Sequence, residues 1–386
     1  MMKKIMVKIL SFIVVSVLFV PITNVYANEE KTSWIELASI PTKRLTFQSE
    51  VIDGKIYTTG GSWNSDYTKK FAHIEVYDPS KNAWTNLPST PTVRWEFQTE
   101  VLDGKLYVIG GSKLGTGELV ASTEVYDPTT NTWSKKASMP KVLSDFYGFQ
   151  TQVVDGKIYV FGVIPDETRT PITEVYDPST DIWTILAPMP TSRQGFQTEV
   201  IDGKIYAIGG YSGPLVGGTI SHMDSLSVVE VYDPTTDQWK TLASMSTTRC
   251  FFQTEVVAGK IYAIGGLNVK VGEYLGKVLS LTEVYDPSVN KWTTLSDMST
   301  ARHVFQTEVI DNKIYAIGGY GPFGPDNDLL SAEAFDPSTN RWTTLPSMKK
   351  ERSIFQTKVI NNVIYAIGGM DVTDMESYAV PTSATK

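Results

Sequence analysis

The chain has 386 residues, a formal net charge of −8 and one cysteine, Cys250. An acidic balance excludes a nucleic-acid binder, whose phosphate contacts need basic surface, and offers anionic lipid headgroups nothing to hold. A single cysteine excludes an internal disulfide, so packing must supply the stability.

The first 27 residues read as a leader. MMKKIMVK is basic, ILSFIVVSVLFV is a twelve-residue apolar run, and Val25-Tyr26-Ala27 supplies small residues at a cleavage point. The run is too short for a bilayer, which needs about 20 residues. A cleaved signal peptide is expected, with a secreted product and no membrane insertion after cleavage. Cleavage removes Lys3, Lys4 and Lys8 and no acid, leaving a charge of −11.

Next comes SWIELA, an isolated strand at 33–38 carrying Trp34. Behind it the pair Phe-Gln recurs seven times, at Phe47, Phe97, Phe149, Phe196, Phe252, Phe305 and Phe355. A period of about fifty residues marks an array of one small unit. The units run near 40–89, 90–138, 139–188, 189–244, 245–297, 298–347 and 348–380.

Each unit predicts four strands. FQTEVI alternates with period two, and an Asp-Gly link such as Asp53-Gly54 or Asp202-Gly203 predicts a hairpin into the second strand. That strand ends in a glycine pair, for example Gly318-Gly319. A variable loop follows, then a third strand, EVYDP, stopped by Asp-Pro. The fourth strand opens on a tryptophan, from Trp84 to Trp342, a large ring suited to packing between sheets. The last unit ends in MESYAV with no tryptophan behind it.

The glycine pair, the Tyr-Asp-Pro and the tryptophan at these spacings resemble the kelch repeat over essentially the whole mature chain. The resemblance implies an all-β fold, a seven-bladed kelch β-propeller. The chain opens with the strand its last blade lacks, so the Trp34 strand is expected to complete blade seven beside 375–380 and remove the open edge.

Strand direction puts the variable loops and the links into strand one on the same face, and binding usually sits on variable loops over a rigid frame. Two features mark that face. One is an arginine three residues before the phenylalanine: Arg44, Arg94, Arg193, Arg249, Arg302 and Arg352. In kelch propellers that bind partners, arginines similarly placed can line the central pocket; alternatively each pairs with the glutamate of EVYDP at the same end of its blade. The other feature is asymmetry. The residue after the arginine varies and includes Trp95 and His303. Blade three reads SDFYGFQTQ, with Phe146 in the arginine's place, then Tyr147, and with Gln152 for the usual glutamate. Trp63, Tyr67, Tyr211, Tyr274, Tyr320 and Phe323 are expected on this face too. Aromatics beside cations suit a glycan or an acidic protein segment.

The candidate ligand contacts are therefore Arg44, Arg94, Trp95, Tyr147, Arg193, Arg249, Arg302, His303 and Arg352. No cofactor or metal is expected, because His73, His222, His303 and Cys250 share no ligand motif. The reading is a secreted, monomeric recognition module for an extracellular glycan or protein. Similarity to bacterial sialic acid mutarotases implies an alternative, a sugar mutarotase or epimerase.

Overall fold

The computed structural model describes residues 33–61, 73–113, 116–143, 148–213, 222–273, 276–322, 327–370 and 372–381. Each unit starts with a hairpin. In blade one Gln48–Ile52 pairs antiparallel with Lys55–Thr59, Ile52 standing opposite Lys55. Asp53 and Gly54 between them have φ of 49° and 69°, the two left-handed conformations a type I′ turn requires. Asn361 and Asn362 meet the same demand at 50° and 60° without glycine, since asparagine tolerates this region better than most residues.

The third strand, His73–Asp78, lies antiparallel to the second, and Ala83–Ser89 closes the sheet on the outside. Seven such four-stranded sheets occur. Their innermost strands are Gln48–Ile52, Gln98–Leu102, Phe149–Val154, Gln197–Ile201, Gln253–Val257, Gln306–Ile310 and Gln356–Ile360. These touch one another all the way round, the last meeting the first. The fold is the expected seven-bladed propeller, and no α-helix occurs among the described residues.

Blade seven is completed from the other end of the chain. Ile35–Leu37 pairs antiparallel with Met375–Ala379, Ile35 opposite Ser377 and Leu37 opposite Met375. Trp34 is buried; its indole N–H donates to Pro346 O at 3.0 Å, and its ring stands 5.5 Å from that of Tyr378.

The core is divided into one apolar cluster per interface between blades, with an eighth of Tyr211, Met223, Cys250, Leu267, Val269 and Val278 joining the loops of blades four and five. Between blades one and two it contains Ile52, Tyr57, Ile74, Phe97, Leu106 and Tyr126. The glycine pair makes this contact possible. A Cβ on Gly60, at φ 62°, would lie 2.3 Å from the Phe97 ring of the next blade. The repeated tryptophans act nearer the rim, tying each blade to its predecessor. Trp84 stacks 5.2 Å from Tyr77 and donates to Ala38 O at 2.8 Å; Trp239 does the same with Tyr232 and Ala187 O.

Candidate functional site

The six arginines turn into their blades, away from the channel. Each pairs with the strand-three glutamate of its own blade, with N–O distances of 2.5 to 3.0 Å. Each also donates through Nη1 to the carbonyl of the first glycine of the pair, at 2.6 to 3.2 Å. None is more than 1% exposed. Ligand contact by Arg44, Arg94, Arg193, Arg249, Arg302 and Arg352 is therefore corrected: reaching outward would strand the buried carboxylate and the glycine carbonyl that each guanidinium holds.

Blade three shows what the frame does without this cation. Counting from the buried methionine that precedes the arginine by four residues in blades four to seven, the arginine's position falls on Leu143, which is four beyond Met139 and buried. Phe146 belongs to extra residues inserted before Gly148; it and Tyr147 lie outside the described residues. Glu174 is consequently buried with no ion pair among the described residues. Its Oε1 accepts from Lys141 N at 3.0 Å and its Oε2 has no partner among the described residues. Burial pushes its pKa up to about 7, against the pull of Lys141. Glu333, which has the Ser299 hydrogen bonds and Arg302 to outweigh burial, is held below the ordinary value.

In four blades the residue after the arginine pairs with the residue after the glycines: Trp95 with Ser112, Gln194 with Tyr211, Cys250 with Leu267, His303 with Tyr320. Both variable segments thus share one face, as expected. His303 is buried, its ring 5.5 Å from Tyr320 and its Nδ1 3.2 Å from Tyr320 O. Burial lowers its pKa to about 4, so it stands neutral and built in. Trp95 is half-buried on this face. Trp63, Tyr67, Tyr274 and Phe323 lie outside the described residues. Tyr211 is buried against Phe251, 5.6 Å away.

The mouth of the channel is formed by a position the sequence reading passed over, two residues beyond each arginine. Thr46, Glu96, Gly195, Phe251, Val304 and Ile354 stand there, all at positive φ between 48° and 58°. For β-branched Thr46, Val304 and Ile354 this is strained backbone, at about 1–3 kcal/mol each. Neighbours in the ring hold one another: Val304 N donates to Phe251 O at 3.1 Å, and Phe251 N to Gly195 O at 3.3 Å. The side chains make a polarised rim, apolar over blades five to seven and polar at Thr46 and Glu96.

Inside the rim lie two adjoining cavities of about 110 and 260 Å³ that share Gln48, Gln98, Gln306, Gln356 and Val304. The glutamines of the Phe-Gln pairs make their floor. Two residues further along the strands comes a second ring, Glu50, Glu100, Gln152, Glu199, Glu255, Glu308 and Lys358. Its members bond to the adjacent blade: Thr99 Oγ1 donates to Glu50 at 2.7 Å, Thr254 Oγ1 to Glu199 at 2.6 Å, and Gln152 Nε2 to Thr198 O at 2.9 Å. Burial raises Glu100 and Glu199 to about 7. Glu255 reaches about 8 through burial and the Glu199 carboxylate. The Phe-Gln pairs marked the repeat in sequence; their periodicity, with an acid two residues on, was the available signal for this lining.

A family model described as the Attractin/LZTR1 β-propeller matches residues 56–330, well over half of the chain. The chain belongs to the kelch-repeat β-propeller family. This kelch propeller is 36% identical to Kelch-like protein 28 of Homo sapiens over 107 residues, 27% of this chain and 19% of that protein. It is 32% identical to Kelch-like ECH-associated protein 1A of Danio rerio over 105 residues, 27% and 17% of the two chains. The matched stretches thus span under a fifth of these relatives. Among solved structures, that of YjhT superposes with a TM-score of 0.59 at 18% identity, covering 80% of this chain and 99% of that one. A fungal alcohol oxidase of the AA5 family, in complex with copper, gives a TM-score of 0.71 at 18% identity, covering 91% and 77%. At this identity the likeness is one of fold. A copper site does not fit the described residues, which contain no group of three or more His, Cys, Asp or Glu able to hold a metal.

Proposed function

We propose that this kelch propeller is an exported recognition module whose loop face binds an extracellular protein or glycan at the channel mouth. The kelch propeller fold supports a protein-binding module in general. The observation that carries the finer reading is the strained, polarised rim over a cavity. Left-handed β-branched residues cost stability, and such strain tends to persist where a surface is used. The leader supports export, and the acidic balance supports a free, soluble, monomeric product.

A screen of glycans and of extracellular proteins against wild type, Trp95→Ala and the pair Val304→Gly/Ile354→Gly tests this reading. The glycine pair relieves two strained positions while removing apolar rim. Binding is expected to fall by about tenfold or more, with stability equal to or above wild type. A partner that binds both variants as well as wild type would place recognition elsewhere.

A second reading, a sugar mutarotase, is favoured by carboxyls held near neutral pKa around the channel, the range suited to general acid–base work. Anomer exchange of candidate sugars followed by proton NMR, in wild type and Glu199→Gln, tests it.

A further inference from the structure

The channel already seats one ammonium. Lys358 occupies the position where the other blades carry Glu50, Glu100, Gln152, Glu199, Glu255 and Glu308, and its Nζ lies 3.6 Å from Glu50 Oε2. Burial draws Lys358 down, yet Glu50, Glu308 and Glu100 outweigh it and leave its pKa above the ordinary value. The ring therefore stabilises an amino-group cation. One ammonium among five carboxyl groups leaves the ring short of positive charge, most of all over blades four and five, where Glu199 and Glu255 adjoin and stay partly protonated near neutral pH for want of a cation.

The glutamine ring above is oriented by its neighbours. Gln48, Gln98, Gln197 and Gln253 each donate Nε2 to the phenylalanine carbonyl of the next blade, at 2.6 to 3.1 Å. A carbonyl only accepts, so the amide nitrogen is fixed toward it and the amide oxygen is the group left to the cavity. The two rings are two residues apart along each strand, about 6.7 Å. From outside inward the mouth presents an apolar arc of Phe251, Val304 and Ile354, then amide oxygens, then carboxylates. That order matches an aliphatic stem, a donating head and its counter-charge.

We propose that the channel mouth receives a basic side chain of a protein partner, a lysine or arginine inserted past the apolar arc with its charged head among the glutamine oxygens above Glu199 and Glu255. This rests on the recognition reading and narrows its ligand to a protein with a protruding basic residue. A neutral sugar leaves the carboxylates uncompensated, and an acidic segment meets like charge. A bare divalent ion fits poorly, since the carboxylates are spread one per blade and engaged with threonine hydroxyls such as Thr254.

The test is calorimetric and NMR titration of the full-length protein with Nα-acetyl-lysine amide, Nα-acetyl-arginine amide and the neutral Nα-acetyl-norleucine amide. The basic probes are expected to saturate and the neutral one not to. The double variant Glu199→Gln/Glu255→Gln, which keeps shape and hydrogen-bond acceptors, is expected to weaken the basic probes by about tenfold or more while melting no lower than wild type at pH 8. Failure of both basic probes to bind, equal binding by the double variant, or saturation by calcium chloride with no lysine binding overturns the proposal. A macromolecular partner from the screen whose affinity survives the double substitution also overturns it, yet leaves the recognition reading standing. Lysine-probe binding with no macromolecular partner found supports the channel site and counts against the wider reading.

Discussion

Glu174 and Glu230 hold the same place in neighbouring blades and differ in what faces them. Glu230 meets Arg193 at 2.6 Å; Glu174 has Leu143 where the arginine would be. Glu230→Gln should cost about 3–5 kcal/mol, because it leaves a buried guanidinium unpaired. Glu174→Gln should be neutral or stabilising at pH 8. Its folded pKa, about 7, lies above that of an unfolded carboxylate, so the native state binds the proton more tightly. The stability this supplies is present at acid pH and is lost as pH rises toward and through 7. Urea denaturation of both variants at pH 8 checks the contrast; equal losses would mean that Glu174 has a cation after all. The arginine–glutamate alternative was legible, since the two residues were seen to share one end of the blade. Leu143 was not, because counting back from Phe149 crosses an insertion, whereas counting forward from Met139 does not. Burial decided the rest, and burial of a charged side chain depends on neighbours that a single repeat does not contain.

At the level of elements, turns and strands were the most readable part of the chain. Asp53-Gly54 and its counterparts specify a turn locally, and alternation specifies which side of a strand meets the next blade. The rim was unreadable for the opposite reason. Val304 and Ile354 favour extended backbone on their own, and only the tertiary ring, in which Val304 gives its N–H to Phe251 O of the preceding blade, holds them left-handed. The joining of the ends was legible because it is bookkeeping: an orphan strand at one end and a missing one at the other. Ile35–Leu37 is only three residues long, so its anchorage depends on Trp34. Trp34→Ala should lose about 3–5 kcal/mol and expose the edge of Met375–Ala379 to foreign strands. Thermal melts with light scattering measure both effects; a melt within a degree of wild type would show that blade seven closes without it.

For the whole molecule, the carboxylate ring sets the pH response. Glu100, Glu199 and Glu255 have folded pKa values of about 7 to 8, above those of unfolded carboxylates. Stability from them is complete at mildly acid pH and is lost as pH rises through about 5 to 8. The melting temperature should therefore be higher at pH 5.5 than at pH 8.5, and Glu199→Gln/Glu255→Gln should flatten the slope. A melting temperature that climbs across this range would contradict the burial of these groups.

The seam of blade seven has a mechanical consequence as well. Ile35 lies opposite Ser377 and Leu37 opposite Met375, so both chain ends leave from the same end of two neighbouring antiparallel strands. They emerge beside Asn362, to which Val380 N bonds through the carbonyl, on the side away from the channel mouth. Traction on the two ends would peel that pairing one bond at a time, unzipping it rather than shearing it. A toroid held together by seven interfaces would thus yield to a tug at one stitch.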